Sequence, residues 1–461
     1  MLVLPKLLTR TVGYQVGAID KEVVAAKALS AIEEGESERE SLRKISEKLQ
    51  ITDWRIHGAI HSLLFEVLKR LNVIDLIIND SLQKGSLDKL QPYLRNLLRI
   101  GVFNLKFSDN LPQKVTKTIV QKAKESFGEG ISKFTNALLR KIEQVKLSDL
   151  ISNSTDVKNL SLKYFHPTWF IKYLITLLGL PGTIEFLQKS LESDDVYIRV
   201  NFLKIDIATV IETLKKDKFV IEVDSNLPDV IRILDWQHPI LHSPLFKEGL
   251  IYIQDKASTL VSHVVDPQEG DFIFDLCAAP GGKSLHMGQL LQNTGMVFAI
   301  DRSHRRLLEL SSKLARYEIQ NIFVLNAVGE DATDYLTKRA DKILIDPPCS
   351  GTGTFMSRPY SKWKLQRKDL QVLTAIQWKI LNSAVKLLKN SGEIIYSTCS
   401  IMIEENEAII KKFLNRYPDF SLVPVTPFIG VPGFLGLSET QRLFPHLHNT
   451  EGFFIAKLRR N

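Results

Sequence analysis

From about residue 250 onward, short apolar runs alternate with longer segments of helical period, and this alternation limits the fold more than any other feature. Strands are expected at 250–254, 272–276, 296–300, 322–325, 342–346, 393–397 and 452–458. Helices are expected at 257–264, 282–292, 303–316, 330–338, 365–388 and 404–415. Strands that alternate with helices predict a largely parallel sheet covered on both faces. Ligands of such sheets gather at the carboxyl ends of the strands. The residues that directly follow each apolar run are therefore the candidates for function.

The preceding stretch is mixed. Pro167 to Leu180 has a helical pattern ended by Gly179 and Pro181, Val196 to Val200 an extended one, Ile207 to Leu214 a helical one and Phe219 to Val223 an extended one. The first third is helical throughout. Val24, Ala25, Ala28, Leu29 and Ile32 repeat at helical spacing, and Asp53 is placed to cap a helix carrying Ile56, Ile60, Leu63, Leu64, Val67 and Leu68. Leu94, Leu97, Leu98, Ile100 and Val102 form another apolar face, and further helices are expected over about 113–126 and 130–145. Prolines here are confined to Pro5, Pro92 and Pro112, which suits turns. The polar stretch Ser148 to Asp156 is expected to be a linker. The expected architecture is a multidomain α plus α/β chain: a helical bundle over 1–147, a small α/β connector over 158–249, and a Rossmann-like domain over 250–461.

Charge and cysteine usage narrow the function classes. The 461-residue chain carries a formal charge of +8, and residues 1–150 hold 24 Lys/Arg against 18 Asp/Glu. This excess, carried by the helical third, is either a plain solvated surface or the footprint of a nucleic-acid backbone. Cys277, Cys349 and Cys399 are the three cysteines. An odd, sparse set excludes a disulfide framework, and the spacing excludes a cysteine-rich zinc module, so no metal is expected. No uninterrupted apolar run of ~18–20 residues is seen. Met1 to Lys6 lacks the basic-then-apolar order of a secretory signal, so a cytoplasmic chain with no membrane partner is expected.

Phe272-Ile-Phe-Asp275-Leu-Cys277-Ala-Ala-Pro-Gly-Gly282-Lys283 is an apolar run leading through small residues into a helix. Ala278, Ala279, Pro280, Gly281 and Gly282 let the backbone approach a ligand, and a helix opening near Gly282 offers unpaired N–H groups. An ordinary glycine turn has the same look. The next apolar run ends in Asp301, 18–20 residues on, where an acid can accept both hydroxyls of a ribose or cap the following helix. The pair points to a nucleoside-containing cofactor. Without Gly-x-Gly-x-x-Gly, S-adenosyl-L-methionine fits better than a nicotinamide dinucleotide.

Ile343-Leu-Ile-Asp346-Pro-Pro-Cys349 and Ile394-Ile-Tyr-Ser-Thr-Cys399 each deliver a cysteine just past a strand end. A free cysteine is usually a small buried hydrophobe. All three cysteines on the ligand side is harder to assign to packing. Methylation of a pyrimidine at C5 needs such parts. A thiolate adding at C6 makes C5 nucleophilic toward a sulfonium methyl, a carboxyl group near N3 steadies the charge, and the base must be extruded to reach them.

The chain resembles the RNA (cytosine-5-)methyltransferases of the Sun/Fmu (RsmB) type. The matching strings are Asp275 to Lys283, Asp346 to Gly353, Tyr396 to Ser400 with Glu404-Glu-Asn406, and Gly452 to Ala456. Arg199-Val-Asn201 and Gln254 to Ser258 match upstream. Leu97-Leu-Arg99, Val115 to Ala123 and Asn136 to Arg140 are similar to the family's NusB-like RNA-binding domain. The resemblance implies that Cys399 is the nucleophile, Cys349 the residue that assists release of the adduct, and Asp346 the acid beside base and methyl donor. It also implies that Cys277 to Lys283 is the S-adenosylmethionine loop and Asp301 the ribose acid. The ranking of the two cysteines comes from the resemblance alone.

Two departures stand out. Where the family usually has an acid contacting the adenine, this chain has Asn326, whose amide oxygen can accept from the adenine amino group, with Asp331 five residues on as the alternative. The segment after the first reactive cysteine reads Arg358-Pro-Tyr-Ser-Lys-Trp363. The expected activity is C5 methylation of a cytosine in RNA, with small-subunit ribosomal RNA as the substrate, transfer RNA as the alternative, and a monomeric enzyme. A non-catalytic RNA-binding assembly or antitermination factor is the reading from another class. The intact cysteines, Asp346 and cofactor loop disfavour it.

Overall fold

The computed structural model describes residues 20–192 and 195–461. The readings of Met1 to Lys6 and of Pro5 lie outside them. The chain divides into two compact units, parted between Phe165 and His166.

The first unit is helical, as expected. Its main helices are Lys21–Glu33, Glu38–Lys48, Trp54–Lys69, Leu71–Ser81, Pro92–Lys106, Pro112–Phe127 and Glu129–Gln144. Asp53 caps the third, accepting from the Arg55 N–H at 2.8 Å. Pro92 and Pro112 open helices, where a missing N–H has no cost. Arg99, within the Leu97-Leu-Arg99 string, is buried and spent inside the bundle: it donates twice to Asp75 at 2.7 Å and also pairs with Glu33. Glu33, the first acid of the stretch Glu33 to Glu40, is therefore a structural carboxylate. The expected linker holds one helical turn, Leu147–Leu150. The helix Val157–Lys163 is tied to this unit by Asn72, whose Nδ2 donates to the Ser161 carbonyl at 2.8 Å.

The second unit opens with the helical stretch Thr168–Lys189, broken at Gly179 (φ 68°, ψ 173°) ahead of Pro181, where the sequence predicts an end. Among the described residues it is the one helix that by length and apolar composition could cross a membrane, and the break leaves two pieces too short to span one. Four strands then form a small sheet: β1 (Val196–Val200), β2 (Val220–Val223), β3 (Val230–Asp235) and β4 (Ile251–Ile253), in the order β2-β3-β1-β4. β4 is a correction. The run at 250–254 was expected to open the parallel series, yet it pairs antiparallel with β1. Too short to bury two faces, it takes the free edge of the connector sheet.

The large sheet contains β5 (Phe272–Asp275), β6 (Met296–Asp301), β7 (Ile322–Asn326), β8 (Ala340–Ile345), β9 (Leu388–Thr398), β10 (Phe420–Val423), β11 (Val431–Pro432), β12 (Gln441–Leu443) and β13 (Phe453–Arg460). Its order is β11-β12-β13-β9-β8-β5-β6-β7, with β10 on β13. β9, β8, β5, β6 and β7 run parallel, and β13 enters antiparallel beside β9. The chain leaves β5 in one direction through β6 and β7, then crosses back to place β8 on the other side of β5. That reversal is a topological switch point, where a crevice opens at the carboxyl ends. Apolar side chains pack both faces, including Val261, Val264 and Leu285 on one and Ile380, Leu381 and Phe413 on the other.

Two helix expectations change. Residues 330–338 form only a short 3₁₀ segment, Gly329–Asp334. Asp331 leaves helical geometry within it (φ −107°, ψ 17°), and Gly329 lies so close to the Leu276 carbonyl that a Cβ would sit 2.6 Å from it. Residues 404–415 split into Ile403–Glu405 and Glu407–Arg416, because Asn406 leaves helical geometry to accept from Thr398 Oγ1 at 2.6 Å and donate to the Ser400 carbonyl at 2.8 Å. β3 and the short strands β10 to β12 had no clear sequence signal.

Arg442 of β12 and Glu407 form a fully buried, two-pronged ion pair, and Arg442 also donates to the Ile401 carbonyl at 2.9 Å. This ties the antiparallel edge to the loop after β9. Replacing Glu407 with Ala leaves a buried guanidinium without its anion. We expect a loss of about 3–5 kcal/mol, measured by urea unfolding.

Candidate active site

The switch point gathers the turns that follow β5, β6, β8 and β9. After β5, Asp275 accepts from Ser284 Oγ at 2.6 Å and from the Cys277 N–H at 3.4 Å, which closes the turn over its own strand end. Gly281 has φ +101°, and a Cβ there would meet Leu310 at 2.3 Å, so only glycine fits. The helix Gly282–Leu290 follows with no side-chain cap on its N-terminus. Three cations hold the carbonyls of the turn: Arg306 at Ala279, Lys313 at Pro280 (2.9 Å) and Arg199 at Gly282 (3.4 Å). With the helix uncapped, the N–H groups of its first turn, rather than those of the loop before it, are left for a ligand carboxylate.

Asp301, at the end of β6, is buried. One carboxylate oxygen accepts from the Ala279 N–H at 3.0 Å, the other from the Ser303 N–H at 2.8 Å. The helix cap itself is Ser303. Each oxygen keeps a lone pair for a ribose hydroxyl. Asn326, at the end of β7, is exposed and donates Nδ2 to the Asp301 carbonyl at 2.9 Å. Its Oδ1 is left as the acceptor for an exocyclic amine. Asp331 sits on the exposed face of the 3₁₀ segment. Turn, helix terminus, Asp301 and Asn326 thus fit the amino-acid, ribose and adenine parts of S-adenosylmethionine.

Lys283 and Asp346 join the cofactor turn to the loop after β8, with Nζ 2.5 Å from Oδ2. Burial opposes the lysine charge, but Asp346 outweighs it and raises the pKa above the ordinary value, with a smaller contribution from Cys399. Ser397 Oγ donates to the other Asp346 oxygen at 3.3 Å, and the Phe453 ring lies 5.3 Å from the Lys283 ammonium. Sequence reasoning placed Lys283 only in the cofactor loop and missed Asp275, Ser397, Phe453, Arg306 and Lys313. Asp275 closes an apolar run, and Ser397 and Phe453 lie within strings that match the family, whereas Arg306 and Lys313 had no such signal.

Cys349 and Cys399 come together, with their sulphurs 3.3 Å apart. The contact with Cys399 and burial both push the Cys349 thiol well up, which holds it as the neutral thiol. Gly353 lets the two loops touch. Its N–H donates to the Cys399 carbonyl at 3.0 Å, its carbonyl accepts from Gly452 at 2.9 Å, and a Cβ would fall 2.0 Å from the Gly452 oxygen. Cys277 stands apart in role. Burial first, then the Asp275 charge, raises its pKa strongly, which leaves an inert thiol in the cofactor turn.

Among the described residues one group offers metal-type donors: Asp229, His263 and His286, with ligand atoms within 4.8 Å of one another. The Asp229 carboxylate lies 2.8 Å from His263 and 2.9 Å from His286. Burial, then the charge of Arg199, lowers the His286 pKa to about 3. That guanidinium opposes a dication in the same cluster.

The family model of the 16S rRNA methyltransferase RsmB/F matches residues 262–459, and that of the NusB family matches residues 21–144. A probable ribosomal RNA small subunit methyltransferase B of Bacillus subtilis is 27% identical over 451 residues, covering 95% of this chain and 98% of that one. A tRNA (cytosine(72)-C(5))-methyltransferase of Pyrococcus horikoshii is 32% identical over 297 residues, covering 62% of this chain and 72% of that one. The crystal structure of PH0851 superposes with a TM-score of 0.84 at 29% identity, covering 96% of this chain and 99% of that one.

Burial, against the Ser284 hydrogen bond, raises Asp275 to about 7. A carboxyl that holds its proton more tightly when folded contributes stability that is complete below its unfolded pKa of about 4 and is lost as pH rises toward 7. The melting temperature of the wild type should therefore fall, relative to that of Asp275→Asn, between pH 4 and 7. Parallel profiles in that window would contradict this.

Proposed function

Because the chain belongs to the RsmB/F family of RNA methyltransferases, we propose that it methylates C5 of a cytosine in small-subunit ribosomal RNA through a covalent adduct on Cys399. It is an RNA cytosine-5 methyltransferase whose cofactor is S-adenosyl-L-methionine. The observation that carries the covalent reading is the 3.3 Å contact between Cys349 and Cys399 beside the Lys283–Asp346 pair.

In this reading the Cys399 thiolate adds to C6 of an extruded cytosine, and the electron pair moves into the ring, leaving C5 nucleophilic. Asp346, oriented by Lys283 and Ser397, holds the N3 edge of the base. The bound cofactor supplies an electrophilic methyl on its sulfonium. Cys277, Ala278, Ala279, Pro280, Gly281, Gly282 and Lys283 with Asp301, Asn326 and Asp346 cradle it. After transfer the C5 proton passes to water, its bonding pair re-forms the C5–C6 double bond, and the Cys399–C6 bond breaks with its pair returning to the Cys399 sulphur. Cys349, a protonated neighbour of the departing sulphur, assists that release.

The substrate reading rests on the helical unit. The Bacillus subtilis relative matches through it, whereas the Pyrococcus horikoshii relative covers 62% of the chain. The excess of Lys and Arg in residues 1–150 suits an RNA backbone. The functional division is a helical RNA-binding domain, an α/β connector and a catalytic domain, acting as a monomer in the cytoplasm.

Cys399→Ala should lose methyl transfer to below about 10⁻³ of wild type. Cys349→Ala should accumulate a protein–RNA adduct that survives a denaturing gel. A fully active Cys399→Ala protein would refute the covalent route. Deproteinised 16S rRNA and bulk tRNA offered together should yield methylcytosine only in the rRNA, mapped by bisulfite sequencing. Label only in tRNA would move the assignment to the alternative substrate.

A further inference from the structure

The two cysteine loops converge on one buried carboxylate, Glu405, with no solvent exposure. Cys349 is followed by Ser350 and Cys399 by Ser400. Both serine hydroxyls donate to Glu405 Oε2 at 2.5 Å and lie 3.0 Å from each other. The Ser350 N–H donates to Oε1 at 2.8 Å. Gln377 Nε2 donates to the same oxygen at 3.0 Å and to the Pro348 carbonyl at 2.9 Å, reaching the residue before Cys349. The main chain of Glu405 is anchored in turn, because the Tyr396 hydroxyl donates to its carbonyl at 2.7 Å. Thr352 extends the network, 3.1 Å from Ser400 Oγ and accepting from the Ile401 N–H at 3.0 Å.

A carboxylate away from water must be met by donors on every side. Here the donors are hydroxyls and amides, none of them a cation, and two belong to the residues that directly follow the reactive cysteines. Movement of either loop would strip hydrogen bonds from a buried anion. We propose that Glu405 is a positioning residue, whose carboxylate sets the separation of the Cys349 and Cys399 sulphurs by clamping Ser350 and Ser400. Its effect on turnover rests on the covalent reading of the site; its effect on sulphur geometry does not.

The chemistry also orders the substitutions. Both Glu405 oxygens accept from donors. Glutamine supplies one oxygen, which can meet the Ser350 N–H and Gln377, while its NH₂ faces hydroxyls able to turn and accept. Glu405→Gln therefore keeps part of the clamp, and Glu405→Ala keeps none.

The test uses the full-length enzyme and two independent readouts. One is the rate at which dibromobimane, a short thiol-bridging reagent, links Cys349 to Cys399 in a Cys277→Ala background. The other is kcat and KM for methyl transfer to RNA. For Glu405→Ala with unchanged melting temperature and cofactor affinity, bridging should slow at least tenfold. kcat should fall by up to about 10²-fold, the scale of a 1 Å misplacement, with KM for S-adenosylmethionine unmoved. Glu405→Gln should recover part of both. Unchanged bridging would overturn the clamp, and slowed bridging with full kcat would overturn its role in turnover. Failure of the covalent reading would show separately, as Cys399→Ala retaining activity. If Glu405→Ala does not fold, Ser400→Ala, which removes one hydroxyl, is read in the same two assays by the same criteria.

Discussion

The Lys283–Asp346 ion pair crosses the crevice between β5 and β8, and the other features of the site are arranged around it. It joins the turn after β5 to the loop after β8. It exists because the chain returns from β7 to pair β8 with β5. At either end the pair is braced, by Ser397 on the carboxylate and by the Phe453 ring near the ammonium. Both braces come from β9 and β13, so the parallel core and the antiparallel edge meet at one charge pair.

The three thiols have different neighbours. Cys277, close to Asp275, is held protonated in the cofactor turn. Cys349 is held protonated by its neighbour and by burial. Cys399 is the partner of that thiol and also contributes to the field at Lys283. The same logic of desolvated groups met by donors recurs at Glu405 and Glu407, neither of which water reaches.

Much of this was legible before any coordinates. The helical third, the alternating α/β pattern, Asp53 as a cap and the break at Gly179 follow from local period and local stereochemistry. The small turn after β5, Asp301, Asp346 and Cys399 stand at or just past strand ends, as expected, because an apolar run in a parallel sheet ends at the ligand edge. Residues whose importance comes from partners distant in sequence were not legible. Arg306 and Lys313 look like solvated charges on a helix, yet each holds a carbonyl of the cofactor turn. The strand at 251–253 carried the right pattern and went to the other sheet, since pattern specifies a strand and not its partner. β10 to β12 are short edge strands, whose pairing is set by β13 and the buried Arg442–Glu407 pair rather than by their own period.

The sequence by itself determined which groups are available for chemistry and on which edge they stand, because strand period and the small residues after β5 are local properties. Only the tertiary structure decided which of those groups share a site. Strand order is not sequence order, so residues 63 positions apart meet at 2.5 Å and cysteines 50 positions apart meet at 3.3 Å. The physical reason is the crossover that seats β8 beside β5, a consequence of packing both faces of one sheet that no local pattern specifies.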